Sequence, residues 1–203
     1  MKKNSTAALE TTYNAEDLPH RFMWLIVEQH AELAKTHERD WSIPSLIAMV
    51  FAFHAMEAYL NYVGVRLAPE IWQKEREYFR ITGFKGKLRE VMELSGLNWE
   101  PGKRPLQTVL GLEKLRNAIA HGRPERLSGK VLHDKELPYP AFSLRSMFTP
   151  KDKMPRAVHD VEQLANEIQV AAKPKLKVKD VWFRKEAFYG PVSYSTRRTR
   201  VRK

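Results

Sequence analysis

A chain of 203 residues has room for one domain with appendages. Its 43% hydrophobic and 29% charged residues are an ordinary globular composition, and the absence of cysteine excludes disulfides, thiolate-held zinc and thiol catalysis. The net charge of +11 is uneven: residues 173–203 hold eleven Lys/Arg against Asp180 and Glu186, a net +9 that leaves +2 for everything before. A basic tail on a near-neutral body suits a polyanionic partner.

Residues 1–14 are polar, and the composition predicts disorder. No apolar run follows Lys2-Lys3, so no signal peptide is expected, and the default compartment is cytoplasmic. A first helix is predicted over Ala15–Lys35, with Leu18, Phe22, Leu25, Ile26 and Leu33 as its apolar face, widened by Met23, Trp24 and Val27. Ser42 is a plausible N-cap for a second helix reaching Ala68, with Pro44 in the first turn. This helix is apolar nearly all round, as expected of a central buried helix. Its stretch Ile43–Leu67 also carries Pro44, His54, Glu57, Asn61 and Arg66, a polar load that argues against a bilayer span.

A short charged helix is expected over residues 70–80, and a third core helix over Lys85–Leu94, stopped by Ser95-Gly96. A fourth runs from Pro105 to His121 on a stripe of Leu112, Leu115 and Ile119, with Gly122 as C-cap and Pro124 forbidding continuation. Residues 125–152 read as an irregular or hairpin insertion, and a fifth helix spans Pro155–Ala172 with Val158, Val161, Leu164, Ala165 and Ile168 on one face. The alternation in Leu176-Lys177-Val178-Lys179 fits a strand in the tail. The expected fold class is all-α, an up-and-down bundle of four or five helices over residues 15–172, followed by the basic tail.

Two constellations carry potential chemistry. On the fourth helix, Glu113, Asn117 and His121 recur every four residues along one ridge, with Arg116 beside it. His121 falls in the last turn, where free carbonyls favour imidazolium while Arg116 opposes it, a balance suited to proton transfer near neutrality. On the second helix, His54, Glu57 and Asn61 form a polar stripe that needs partners, and Arg116 matches Glu57 by charge. Read structurally, the same residues are a buried ion pair that fixes helix register.

The segment Glu113-Lys114-Leu115-Arg116-Asn117-Ala118-Ile119-Ala120-His121-Gly122 resembles the signature of the HEPN superfamily, an Arg followed by a polar residue with His four to six residues beyond. The stretch His54-Ala55-Met56-Glu57-Ala58-Tyr59-Leu60-Asn61 resembles the Glu-Ala-x-x-Asn pattern on the second helix of many HEPN proteins. A second match to the spacing, Arg126 to His133, crosses Gly129 and lacks the polar follower. The resemblance implies a helical bundle that dimerises and places two Arg–His motifs across a cleft. It also implies metal-independent RNA cleavage by 2′-hydroxyl attack, with no cofactor. Arg116, Asn117 and His121 would then be catalytic, with His54, Glu57 and Asn61 in support. A toxin or phage-defence role, with an antitoxin or other protein partner and no membrane, goes with it. The alternative is a non-catalytic RNA- or protein-binding module. In either case Arg197, Arg198, Arg200 and Arg202 are candidate RNA contacts, with Trp182, Phe183, Phe188, Tyr189 and Tyr194 open to two readings, groups that stack on bases or aromatics that pack on the body. The sequence shows no phosphate-gripping glycine loop, no helix-turn-helix spacing and no metal-ligand cluster among its seven scattered histidines.

Overall fold

The longest helix organises the rest. The computed structural model describes residues 9–36, 41–122, 153–176 and 186–201. Helix α2 (Ser42–Leu67) buries Ala48, Ala52, Phe53, Ala55, Met56, Tyr59, Leu60 and Val63. These residues form one broad face of roughly 160°, too wide for a single neighbouring helix to cover. The helix packs most extensively against α1 (Pro19–Thr36), then against α7 (Lys153–Ala172), α5 (Gly83–Ser95) and α6 (Leu106–Ala120). Two single-turn helices, α3 (Pro69–Trp72) and α4 (Glu75–Tyr78), link α2 to α5. The fold is an all-α bundle. By length and composition α2 meets the criteria for a membrane span. Its polar groups are nevertheless committed within the bundle. Tyr59 Oη donates to Gln169 Oε1 at 2.7 Å, and Asn61 Oδ1 accepts from Trp72 Nε1 at 3.3 Å.

Several boundaries and faces differ from those predicted. Trp41, not Ser42, occupies the cap position of α2, and no side-chain hydrogen bond caps it. Ala15–Asp17 lie in a strand, and α1 starts at Pro19, where a missing N–H is harmless. Helix α1 is also rotated from the expected face: it buries His20, Arg21, Trp24, Val27 and Ala31, and leaves Phe22 and Leu25 more than half exposed. The reason is a long-range partner. Trp24 stacks on Phe188 at 4.3 Å, and Arg21 Nη1 donates to the Pro191 carbonyl at 3.1 Å. The segment Glu186–Val192 therefore decides which of two competing stripes faces inward. Of the two readings open for Phe188, packing on the body is the one found: it is a core residue.

The largest departure is at the ends of the chain. Residues 9–14, predicted to be disordered, belong to strand β1 (Leu9–Asp17), which pairs antiparallel with β2 (Ser193–Val201) in a two-stranded ribbon. Residues 125–152, Lys177–Lys179, Trp182, Phe183 and Arg202 lie outside the described residues.

Gly96 ends α5 as predicted, at φ 80° in the left-handed region that glycine tolerates. Gly64 serves a different need. A Cβ there would lie 2.0 Å from the Trp72 indole, so only glycine lets α3 fold back onto α2. Gly64→Ala is expected to lower stability by about 2 kcal/mol through overpacking, read as a shift in the urea midpoint. An unchanged midpoint would show that α3 moves freely.

The near ends of α6 and α7 are tied by a buried carboxylate. Arg104 Nε and Nη2 each donate to Asp160 at 2.7 Å, and the Thr108 hydroxyl donates to the same carboxylate. Burial alone would push the Asp160 carboxyl up, but those hydrogen bonds and the Arg104 charge hold it below its ordinary value. This clamp leaves the other end of α6 to be set by α2.

Candidate functional site: the α2–α6 groove

Helix α6 buries Leu106, Val109, Leu112 and Leu115 and then leaves the core. Ile119, expected in the apolar stripe, is 38% exposed. The final turn thus presents Asn117, Ala120, His121 and Gly122 to solvent. His121 takes the cap position, its N–H donating to the Asn117 carbonyl at 3.0 Å. Gly122 follows without a positive φ, so the left-handed glycine cap expected there does not form.

The charge match between the two helices is present. Arg116 Nη2 stands 3.7 Å from Glu57 Oε2, an ion pair too long for a hydrogen bond. Arg116 Nη1 donates to Asn117 Oδ1 at 2.8 Å, and its guanidinium carbon lies 5.0 Å from the centre of the Phe53 ring. Phe53 sits one turn before Glu57 on α2, so ring and carboxylate meet the guanidinium from the same face of that helix. Arg116 Nε is buried without a hydrogen-bond partner. With the side chain 29% exposed, Arg116 keeps donors to spare for an anion.

His54 Nδ1 lies 3.9 Å from Glu57 Oε2. Burial pushes the His54 imidazole below its ordinary value, Glu57 pulls it back up, and Arg116 adds to the lowering. One turn up α6 from Arg116–Asn117, burial raises the Glu113 carboxyl; Arg116 and Lys85 lower it, and the like charge of Glu57 raises it further. The groove therefore holds two carboxylates, one guanidinium and a neutral-leaning imidazole.

Glu57, His54, Arg116 and Asn117 come together as the sequence spacing suggested. Asn61 does not join them, because its side-chain oxygen is taken by Trp72. His121 stands apart: five residues beyond Arg116, it lies about 140° further around the helix axis. Its side chain forms no hydrogen bond or ion pair among the described residues. Phe53 and Lys85 were not anticipated. The signal for Phe53 was its spacing of four residues before Glu57; Lys85 comes from α5 and had no local signal.

The site is a charged groove between two helices of an all-α bundle, with an exposed histidine at one helix end. Searches against family models, curated proteins and solved structures return no match.

Proposed function

We propose that this chain is a metal-independent endoribonuclease of the HEPN kind, working at the exposed end of α6. The observation that carries the proposal is the Arg116–Glu57 pair across α2 and α6 beside Asn117, with His121 exposed one turn on. Arg116 grips a phosphate oxygen of the RNA and offsets charge as the phosphorus becomes five-coordinate. The ribose 2′-hydroxyl attacks the adjacent phosphorus, the P–O5′ bond breaks, and the products are a 2′,3′-cyclic phosphate and a 5′-hydroxyl. His121 moves a proton at the 2′-hydroxyl or at the departing O5′. Asn117 orients the phosphate through Arg116, and Glu57 and Phe53 position the guanidinium. A second copy of the chain supplies a second Arg–His pair across a shared cleft. A cytoplasmic toxin or phage-defence role, held in check by a protein partner, is part of the same proposal.

One observation favours a second reading, a non-catalytic RNA- or protein-binding module. The Arg116 guanidinium already has three internal neighbours in Glu57, Asn117 and Phe53. The two readings separate when the purified chain is incubated with RNA in EDTA beside its His121→Ala variant. Cleavage by the wild type that His121→Ala loses supports the nuclease. No cleavage by the wild type, or equal cleavage by both, leaves the binding module.

A further inference from the structure

One carboxylate oxygen joins two groups across the α2–α6 groove. Glu57 Oε2 lies 3.7 Å from Arg116 Nη2 and 3.9 Å from His54 Nδ1. The two nitrogens are therefore no further apart than those distances together. The His54 ring makes edge-to-face contacts with Phe53 and Phe51, at centroid distances of 5.5 and 6.4 Å. Phe53 in turn packs on Phe84 of α5 at 4.6 Å and stands 5.0 Å from the Arg116 guanidinium. The ring that holds the guanidinium thus also holds the imidazole.

The His54 side chain is 37% exposed and forms no hydrogen bond among the described residues. Its Nδ1 faces the carboxylate, which favours the tautomer with its proton there. The lone pair is then on Nε2, the nitrogen turned away from Glu57. An imidazole oriented through one nitrogen by a carboxylate, with the other nitrogen open, has the form of a general base. The charged groups of this groove are Glu57 on the same helix, Arg116 and Glu113 on α6, and Lys85 on α5. Burial, together with the Arg116 charge, outweighs the pull of Glu57 and holds His54 below its ordinary value of 6.5, so the neutral form prevails at pH 7. His121 does not share this wall, being about 140° around the α6 axis from Arg116. In-line displacement sets the attacking and leaving oxygens on opposite sides of the phosphorus, so the two proton transfers call for groups in two places.

We propose that His54 is the general base that takes the 2′-hydroxyl proton, which leaves His121 to protonate O5′. The inference rests on the nuclease reading of the groove. With a phosphate oxygen on Arg116, the adjoining ribose brings its 2′-hydroxyl to His54 Nε2. The proton passes from O2′ to Nε2 as the O2′–P bond forms. The P–O5′ electron pair leaves with O5′, which takes a proton from the His121 imidazolium. Both histidines return to their starting charge by exchange with water. Glu57 stabilises the imidazolium formed on His54 as well as the guanidinium.

The experiment uses the full chain and two substrates. One is an RNA oligomer; the other is the same oligomer with sulfur in place of O5′ at the mapped cleavage site. A thiolate leaves without a proton, so the second substrate needs the base and not the acid. The wild type, His54→Ala, His54→Gln (which fills more of the space) and His121→Ala are compared, with melting temperatures measured beside the rates. Loss of the base should lower kcat by about 100-fold or more on both substrates, and loss of the acid by as much on RNA but by less than about threefold on the sulfur substrate. Added imidazole should restore part of the His54→Ala rate. The wild-type kcat/KM should fall at acid pH with a break below 6.5, a break kept by Glu113→Gln and lost in His54→Ala. A packing role alone for His54 predicts a lowered melting temperature, no rescue by imidazole and an unmoved break, which overturns the proposal. Loss by the His54 variants on RNA with the sulfur substrate spared also overturns it, since that is the pattern of an acid. RNA cleavage as fast by the His54 variants as by the wild type refutes the base and leaves the nuclease standing. A wild type that cleaves neither substrate removes the nuclease, and the base with it.

Discussion

Arg116→Ala is expected to lower RNA cleavage by roughly 100- to 1,000-fold, the usual cost of removing one donor aimed at developing negative charge. The same change should cost only about 1 kcal/mol of stability, because the ion pair with Glu57 is long and partly solvated. This disproportion separates the two roles open to the pair. A register-fixing ion pair loses stability and activity together; a phosphate grip loses activity with the fold intact. Arg116→Lys keeps the charge but not the planar fork, so it should recover only part of the rate. Glu57→Gln should raise KM for RNA more than it lowers kcat, since Glu57 positions the guanidinium before the phosphate arrives. Urea midpoints measured beside the cleavage rates check all three variants.

Acidification is the second large effect, and its main source is His20, with His54 adding in the same direction. The His20 ring is fully buried, with both nitrogens lacking hydrogen-bond partners, among the rings of Tyr59, Tyr62 and Phe188. Burial, then the nearby charges of Arg21 and Arg66, push its pKa from 6.5 down to about 3. The unfolded chain takes up this proton near pH 6.5 and the folded chain only near 3. Between those values the unfolded state binds more protons, so stability is complete above pH 6.5 and falls as the pH drops. The slope is about 1.4 kcal/mol per pH unit, or roughly 2–3 kcal/mol lost by pH 4.5. His20→Phe should keep the aromatic packing and flatten the curve across this window. Parallel curves for the variant and the wild type would show that the imidazole is not held neutral. The Asp160 clamp does not confuse the comparison, because a lowered carboxyl loses its contribution only at the acid end, below its ordinary value of 3.8.

How much of this was legible in the sequence depended on how far each partner lay along the chain. Helix α2 announced itself because Ile47, Val50, Phe51, Phe53, Met56 and Tyr59 place apolar side chains all round it, which needs no knowledge of neighbours. The pairing of Glu57 with Arg116 was readable because a half-buried carboxylate demands a cation and α6 offers one at the right turn. The partner of Asn61 was not legible, because Trp72 reaches it only when a single-turn helix folds back over Gly64. The rotation of α1 turned on Phe188 and Pro191, far downstream, which chose between two stripes of similar apolarity. The ribbon escaped for the same reason: Thr11, Thr12 and Tyr13 suit a strand, but their partners stand at the opposite end of the chain.

The ends of the cleavage products test the central claim most directly. Unmodified RNA and its 2′-O-methyl counterpart are incubated with the purified chain in EDTA, and product ends are read by mass spectrometry. The unmodified RNA should give 2′,3′-cyclic phosphate and 5′-hydroxyl ends, and the 2′-O-methyl strand should stay intact. Cleavage of the 2′-O-methyl strand, or an untouched unmodified RNA, would contradict it.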